Sequence, residues 1–183
     1  MIDRKEFLTA SWRAGCCALI GLGGAGAAGQ QGAAEQAPAD PDKQFIQNWL
    51  TDLLRQVDTT LDEPAKAKLL GGCGRACFER FAFKRAWAEE GRGDVEKLIA
   101  ALQRNFDVRR EGQQVHIRYG AISKGCYCPA AKYREPAPND LHCYCSRGTH
   151  QAVWETALGR PVQVEIAESV RRGGKTCHFV VTL

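Results

Sequence analysis

The chain has 183 residues, of which 44% are hydrophobic and 25% charged, with a formal charge of +4. This is room for one domain with a proper core plus an appendage, in the proportions of an ordinary globular protein. The small positive excess excludes an electrostatic case for nucleic acid, and the basic pairs Arg109-Arg110 and Arg171-Arg172 flank turn residues, so they read as solvated hairpin ends.

Residues 1–29 have a charged head, an Ala/Gly/Leu-rich middle and a small-residue end, which is the layout of an export signal. The stretch is too short and too Gly-rich for a stable membrane span, so none is expected in the mature chain. Arg4-Lys5-Glu6-Phe7-Leu8 resembles the twin-arginine signal, Arg-Arg-x-Phe-Leu, with Lys5 in place of the second arginine. The ordinary secretory route stays open, and either route implies a periplasmic or otherwise exported protein. Cys16 and Cys17 suggest a lipoprotein, but Arg13 stands where an aliphatic residue is needed.

Residues 30–41 form a polar linker, and 42–183 read as one α+β domain. From Pro41, Phe45, Ile46, Trp49, Leu50, Leu53, Leu54 and Val57 share one face at helical spacing, with Asp42 near the cap. Pro64 opens a further helix to Leu70, which Gly71-Gly72 should break; a helical run from Cys73 to Glu90 follows. Asp94 caps a helix striped by Val95, Leu98, Ile99, Leu102 and Phe106. After Asn105 the period becomes alternating, giving a hairpin over 107–119 in which His116 reads as a surface residue. Ser146 to Leu158 reads as a short helix ended by Gly159, and 161–182 as two further strands. The expected fold is therefore N-terminal helices packed on an antiparallel sheet, with a cysteine-rich loop cluster.

Nine cysteines, seven of them beyond residue 70, are the main compositional clue. Cys126-Tyr-Cys128 and Cys143-Tyr-Cys145 are separated by fourteen residues, and folding back of that loop gathers four sulfurs, with Cys177 a fifth. Charged thiolates this close repel, so the set needs a cation or oxidation in pairs. Cys126, Cys128, Cys143, Cys145 and Cys177 are the metal-ligand set; zinc is the first expectation, an iron-sulfur cluster the alternative, and disulfides with no metal remain open. Cys143 and Cys145 stand just before a helix start, where the dipole favours thiolate. Cys73 and Cys77 share a helix face and are either small core residues or part of the cluster. His142, His150 and His178 lie near it in sequence and are available for acid-base work.

The segments Cys-Tyr-Cys-Ser-Arg-Gly (143–148), Gly-Arg-Pro-Val (159–162) and Glu-Ser-Val-Arg-Arg-Gly-Gly-Lys-Thr-Cys-His-Phe (168–179) resemble the C-terminal half of the 4-vinyl-reductase domain superfamily. That group includes aromatic-effector sensor domains, and the segments are also similar to the family containing L-2-amino-thiazoline-4-carboxylate hydrolases. The resemblance implies a structural zinc whose cysteine ligands fall on Cys143, on Ser169 and on Cys177, with Ser169 replacing a ligand and facing the sulfurs. It further implies a small-molecule ligand in a neighbouring apolar pocket. Two functions follow: an exported metal-binding domain, or a metal-dependent hydrolase of a small cyclic or amide substrate with zinc-bound water as nucleophile. Whether the chain is an enzyme stays open, although the sulfur surplus favours a closed structural site. A disulfide-stabilised binding protein is the third reading.

Overall fold

The computed structural model describes residues 40–131 and 134–183. The expected export signal, most of the 30–41 linker, Cys16 and Cys17 lie outside the described residues. Helix α1 spans Pro41–Thr60, and its cap is Asp40, whose carboxylate accepts from the N–H groups of Asp42 at 3.1 Å and Lys43 at 3.3 Å. The apolar arc of α1 is about half the helix circumference. Only one flank of that arc is covered: Leu54 is buried and Leu50 and Val57 half-buried, against Leu70, Leu141 and Tyr144. Phe45, Ile46, Trp49 and Leu53 stay exposed.

Helix α2 runs Glu63–Arg80 without a break, from a cap in which Asp62 accepts from Ala65 N–H at 2.9 Å. The expected break at Gly71-Gly72 does not occur. The reason is tertiary: α2 crosses a later helix so closely that Gly74 has no room for a side chain, and that packing offsets the low helix propensity of glycine. The break comes instead at Phe81, after which α3 spans Ala82–Glu90. Helix α4 spans Val95–Gln103 from the Asp94 cap, as the sequence indicates. Strands β1 (Asp107–Glu111) and β2 (Gln114–Arg118) form the hairpin around Gly112, whose φ of 61° suits the turn.

Helix α5 spans Cys143–Leu158 and ends at Gly159, with φ 66°. Strand β3 (Gln163–Glu168), a 3-10 turn (Val170–Arg172) and strand β4 (His178–Thr182) complete the chain. The sheet is antiparallel throughout, in the order β1-β2-β4-β3. The fold is α+β, as expected.

One face of the sheet, with Val108, Val115, Ile117, Val164, Phe179 and Val181, packs against Leu98, Leu102, Val153 and Trp154 of α4 and α5 to make the main core. Helix α1 takes no part in it. No helix among the described residues is long and apolar enough to cross a membrane.

Candidate functional site

The loop from Tyr119 to His142, which carries Cys126 and Cys128, is held by one buried guanidinium. Arg171 is 4% exposed and donates to the carbonyls of Ala131 at 2.7 Å, Arg134 at 2.9 Å and Glu135 at 2.8 Å. Its Nε donates to Asp140 at 2.7 Å, and Arg134 donates to the same carboxylate at 3.0 Å. Burial alone would raise the Asp140 pKa. The Arg171 hydrogen bond and the charges of Arg134 and Arg171 outweigh it and hold the carboxyl below its ordinary value. Reading Arg171 as part of a solvated turn is thus corrected: the side chain turns inward to three loop carbonyls and a buried carboxylate. Arg109 and Arg110 do lie at the surface, paired with Asp107 and Glu96.

Arg171 also fixes the turn that presents Ser169, whose Oγ accepts from Arg171 N–H at 3.1 Å. Ser169 is 3% exposed, with Oγ 2.9 Å from the Cys143 sulfur. Ser169 and Val170 also act on the Cys177 thiol, each opposing the rise that burial imposes on it, so Ser169 stands beside both Cys143 and Cys177. The three positions at which the family resemblance puts zinc ligands are together in space.

The expected five sulfurs divide into two groups. Cys126, Cys143 and Cys177 belong with Ser169: Cys177 is felt electrostatically by both of the others. Cys145 belongs to the seam between α2 and α5, where its neighbours are Cys77 and Cys73. Cys128 is felt by both groups. The seven described cysteines are free thiols. Among the described residues no three His, Cys, Asp or Glu side chains already stand as a ready metal shell.

Helix α5 starts at Cys143 rather than at Ser146, so both sulfurs of the second pair lie in its first turn. The expectation that the helix start favours thiolate there is overturned by burial. Burial pushes the Cys143, Cys126 and Cys177 thiols up. Cys145 is pushed up to about 12, by burial first and then by the charges of Cys128, Cys77 and Cys73. Losing water costs a thiolate more than one helix end returns. Alkylation of the native protein at pH 8 should therefore label exposed Cys73 first and Cys145 and Cys143 last, with urea erasing the order. Peptide mapping that finds Cys145 labelled as fast as Cys73 would contradict this.

Tyr119 and His150 form the floor beside the sulfurs, with Oη and Nε2 3.0 Å apart. Burial and then the sulfurs of Cys177, Cys126, Cys128 and Cys145 oppose ionisation of Tyr119. His150 packs against Phe106, Tyr119 and Phe179, and burial pushes its pKa down to about 3. His142 is pushed down to about 4, also by burial. Both imidazoles are neutral at physiological pH, which suits acceptance of a proton less than a structural role. His178 turns away from this site to the other face of the sheet, as its neighbour Phe179 is in the core.

No protein-family profile and no curated protein sequence matches the chain. Among solved structures, it is similar to a trafficking protein particle complex subunit 3 from Naegleria fowleri that is covalently bound to palmitic acid. The TM-score is 0.54 at 13% identity, over 78% of this chain and 95% of that one. That likeness shows a shared fold. A vinyl-4-reductase family protein from Methanocaldococcus jannaschii reaches a TM-score of 0.34 at 12% identity, over 81% of this chain and 83% of that one.

Proposed function

We propose that the chain is an exported cysteine-rich domain that binds one structural metal ion, zinc in the first instance, through Cys143, Cys177, Cys126 and Cys128. The observation that carries this reading is the placement of Ser169, buried with its hydroxyl 2.9 Å from the Cys143 sulfur and beside Cys177. The serine caps its own turn through Arg171 N–H and still turns its hydroxyl to a sulfur. Here it joins sulfurs from α5 and from the start of β4, the two elements that bring one wall of the site together.

Among the described residues no three of these side chains stand as a ready shell. Cys126 and Cys128 lie in the loop held by Arg171 and would supply the remaining ligands. Cys145, turned toward Cys73 and Cys77, is left out of the set. The raised thiol pKa values fit a site that is protonated when empty and releases protons on loading, so metal affinity should rise with pH. The amino-terminal charged head and apolar middle support export. A bound metal would supply a crosslink between loop, helix and sheet; this chain's residues orient the sulfurs and exclude water.

The test is cadmium and zinc titration of the reduced full chain, read by the sulfur-to-cadmium charge-transfer band and by proton release. One equivalent should bind. Cys143→Ser and Cys177→Ser should each lower affinity by at least about 100-fold, while Cys73→Ser should leave it unchanged. Equal binding by Cys143→Ser, or a native mass two hydrogens lighter per cysteine pair with no metal, would overturn the reading. A visible absorption band with iron and sulfide in place of zinc would replace zinc by a cluster on the same ligands.

A further inference from the structure

The face of the sheet turned away from the main core carries a pair of imidazoles, His116 and the buried His178. Along β2, Val115 and Ile117 point into the core and His116 lies between them; along β4, Phe179 and Val181 are in the core and His178 precedes them. The register sets Arg118 opposite His178 and Val180 opposite His116, so the two histidines are diagonal neighbours on adjacent strands. Their rings meet, with His116 Nδ1 3.0 Å from His178 Nε2.

We propose that His116 and His178 form a chelating site for a divalent transition-metal cation of the nickel, copper or zinc class. Two metal-nitrogen bonds of about 2.1 Å at a right angle span about 3.0 Å, so cis coordination needs ring rotation and no strand movement. The other nitrogen of His116 supports this. His116 Nε2 is buried with no hydrogen-bond partner, and the Glu111 carboxylate lies 3.6 Å from it. A carboxylate there would hold the proton on Nε2 and leave the Nδ1 lone pair for a metal, the usual outer-shell arrangement for a ligating imidazole. With the proton of His116 on Nε2, His178 would donate from Nε2 to His116 Nδ1; ligation would move that proton to His178 Nδ1, with no net proton lost.

The charged groups around the pair are mixed. Arg118 opposes a cation, whereas Glu111 and Glu168 favour one. No third His, Cys, Asp or Glu completes the shell among the described residues, so water would fill the remaining positions.

The chain has four histidines, and all are described, which makes the test direct. Paramagnetic Ni2+ is titrated into the reduced full-length protein while the four imidazole signals are followed. His116 and His178 should broaden together at substoichiometric Ni2+, and His150 should not. His116→Asn and His178→Asn should each weaken Ni2+ binding at this site at least about tenfold, and Glu111→Gln by about tenfold through loss of the outer-shell partner. Thermal melts of the variants check the fold; if His178→Asn does not fold, half-exposed His116→Asn decides. Broadening confined to His142, beside the sulfurs, or unchanged affinity in His116→Asn, overturns the proposal.

Discussion

Gly74→Ala is expected to cost about 3 kcal/mol or more, because it overpacks a backbone-to-backbone contact that has no side chain to swing aside. The added methyl would fall well inside contact with the Cys145 carbonyl and 2.7 Å from the Thr149 nitrogen. Reciprocally, a methyl on Gly148 would meet the Gly71 backbone, 2.7 Å from its Cα. Thr149 Oγ1 donates to the Gly74 carbonyl at 3.1 Å across the same seam, so separation of the helices would also break that bond. Gly72 supplies the control: nothing lies within 4 Å of its would-be methyl, and Gly72→Ala should stabilise by about 0.5–1 kcal/mol through helix propensity alone. In thermal melts the two substitutions should move Tm in opposite directions, Gly74→Ala downward by roughly 6–12 °C. Equal melting of Gly74→Ala and the parent would mean that α2 and α5 do not touch at this point.

Arg171→Met is the second large expected effect, at about 3–5 kcal/mol, since it leaves the buried Asp140 carboxylate with Arg134 as its one charged partner beside the His142 N–H, and takes the guanidinium from three loop carbonyls. Shape is nearly kept, so the loss reports the polar contacts. The parent should also show acid sensitivity that the variant lacks. Asp140 is depressed below its ordinary value of 3.8 in the folded state, so its contribution is present above that value and is lost as pH falls through the folded pKa. Urea midpoints compared at neutral pH and at progressively lower pH should therefore converge for parent and Arg171→Met. A constant gap down to the acid limit would place the effect elsewhere.

What the sequence discloses is what is local. Asp94 before an apolar stripe names its own helix, Gly159 names an end, and the alternation through Val115 and Ile117 names a strand facing a core. Gly71-Gly72 reads as a break for the same local reason, yet the partner that permits glycine in mid-helix is Gly148, far along the chain. Arg171 shows the same limit: beside Arg172, Gly173 and Gly174 it has every mark of a solvated turn, and only the folded loop supplies the carbonyls that draw it in. The sequence treats the five sulfurs as one set, whereas a Cys-x-Cys pair in the first turn of a helix sends its two side chains to different neighbours. Ser169 was found through the family resemblance; no periodicity marks it. The His116–His178 pair spans sixty-two positions and exists only in the register of β2 and β4.

The half-covered arc of α1 has a bearing on how the domain comes apart. Its apolar anchorage is the small patch of Leu50, Leu54 and Val57 on Leu70, Leu141 and Tyr144, helped by Lys66, whose ammonium reaches Asp58 at 2.8 Å. None of these residues belongs to the main core, so α1 can detach while the sheet and α4–α5 stay folded. Tyr144 and Leu141 flank Cys143, and Tyr144 donates to Glu63 at 2.7 Å. Undocking of α1 is thus expected to unroof the stretch next to the sulfurs, so that access of a metal or an oxidant to Cys143 should depend on a helix that carries no ligand.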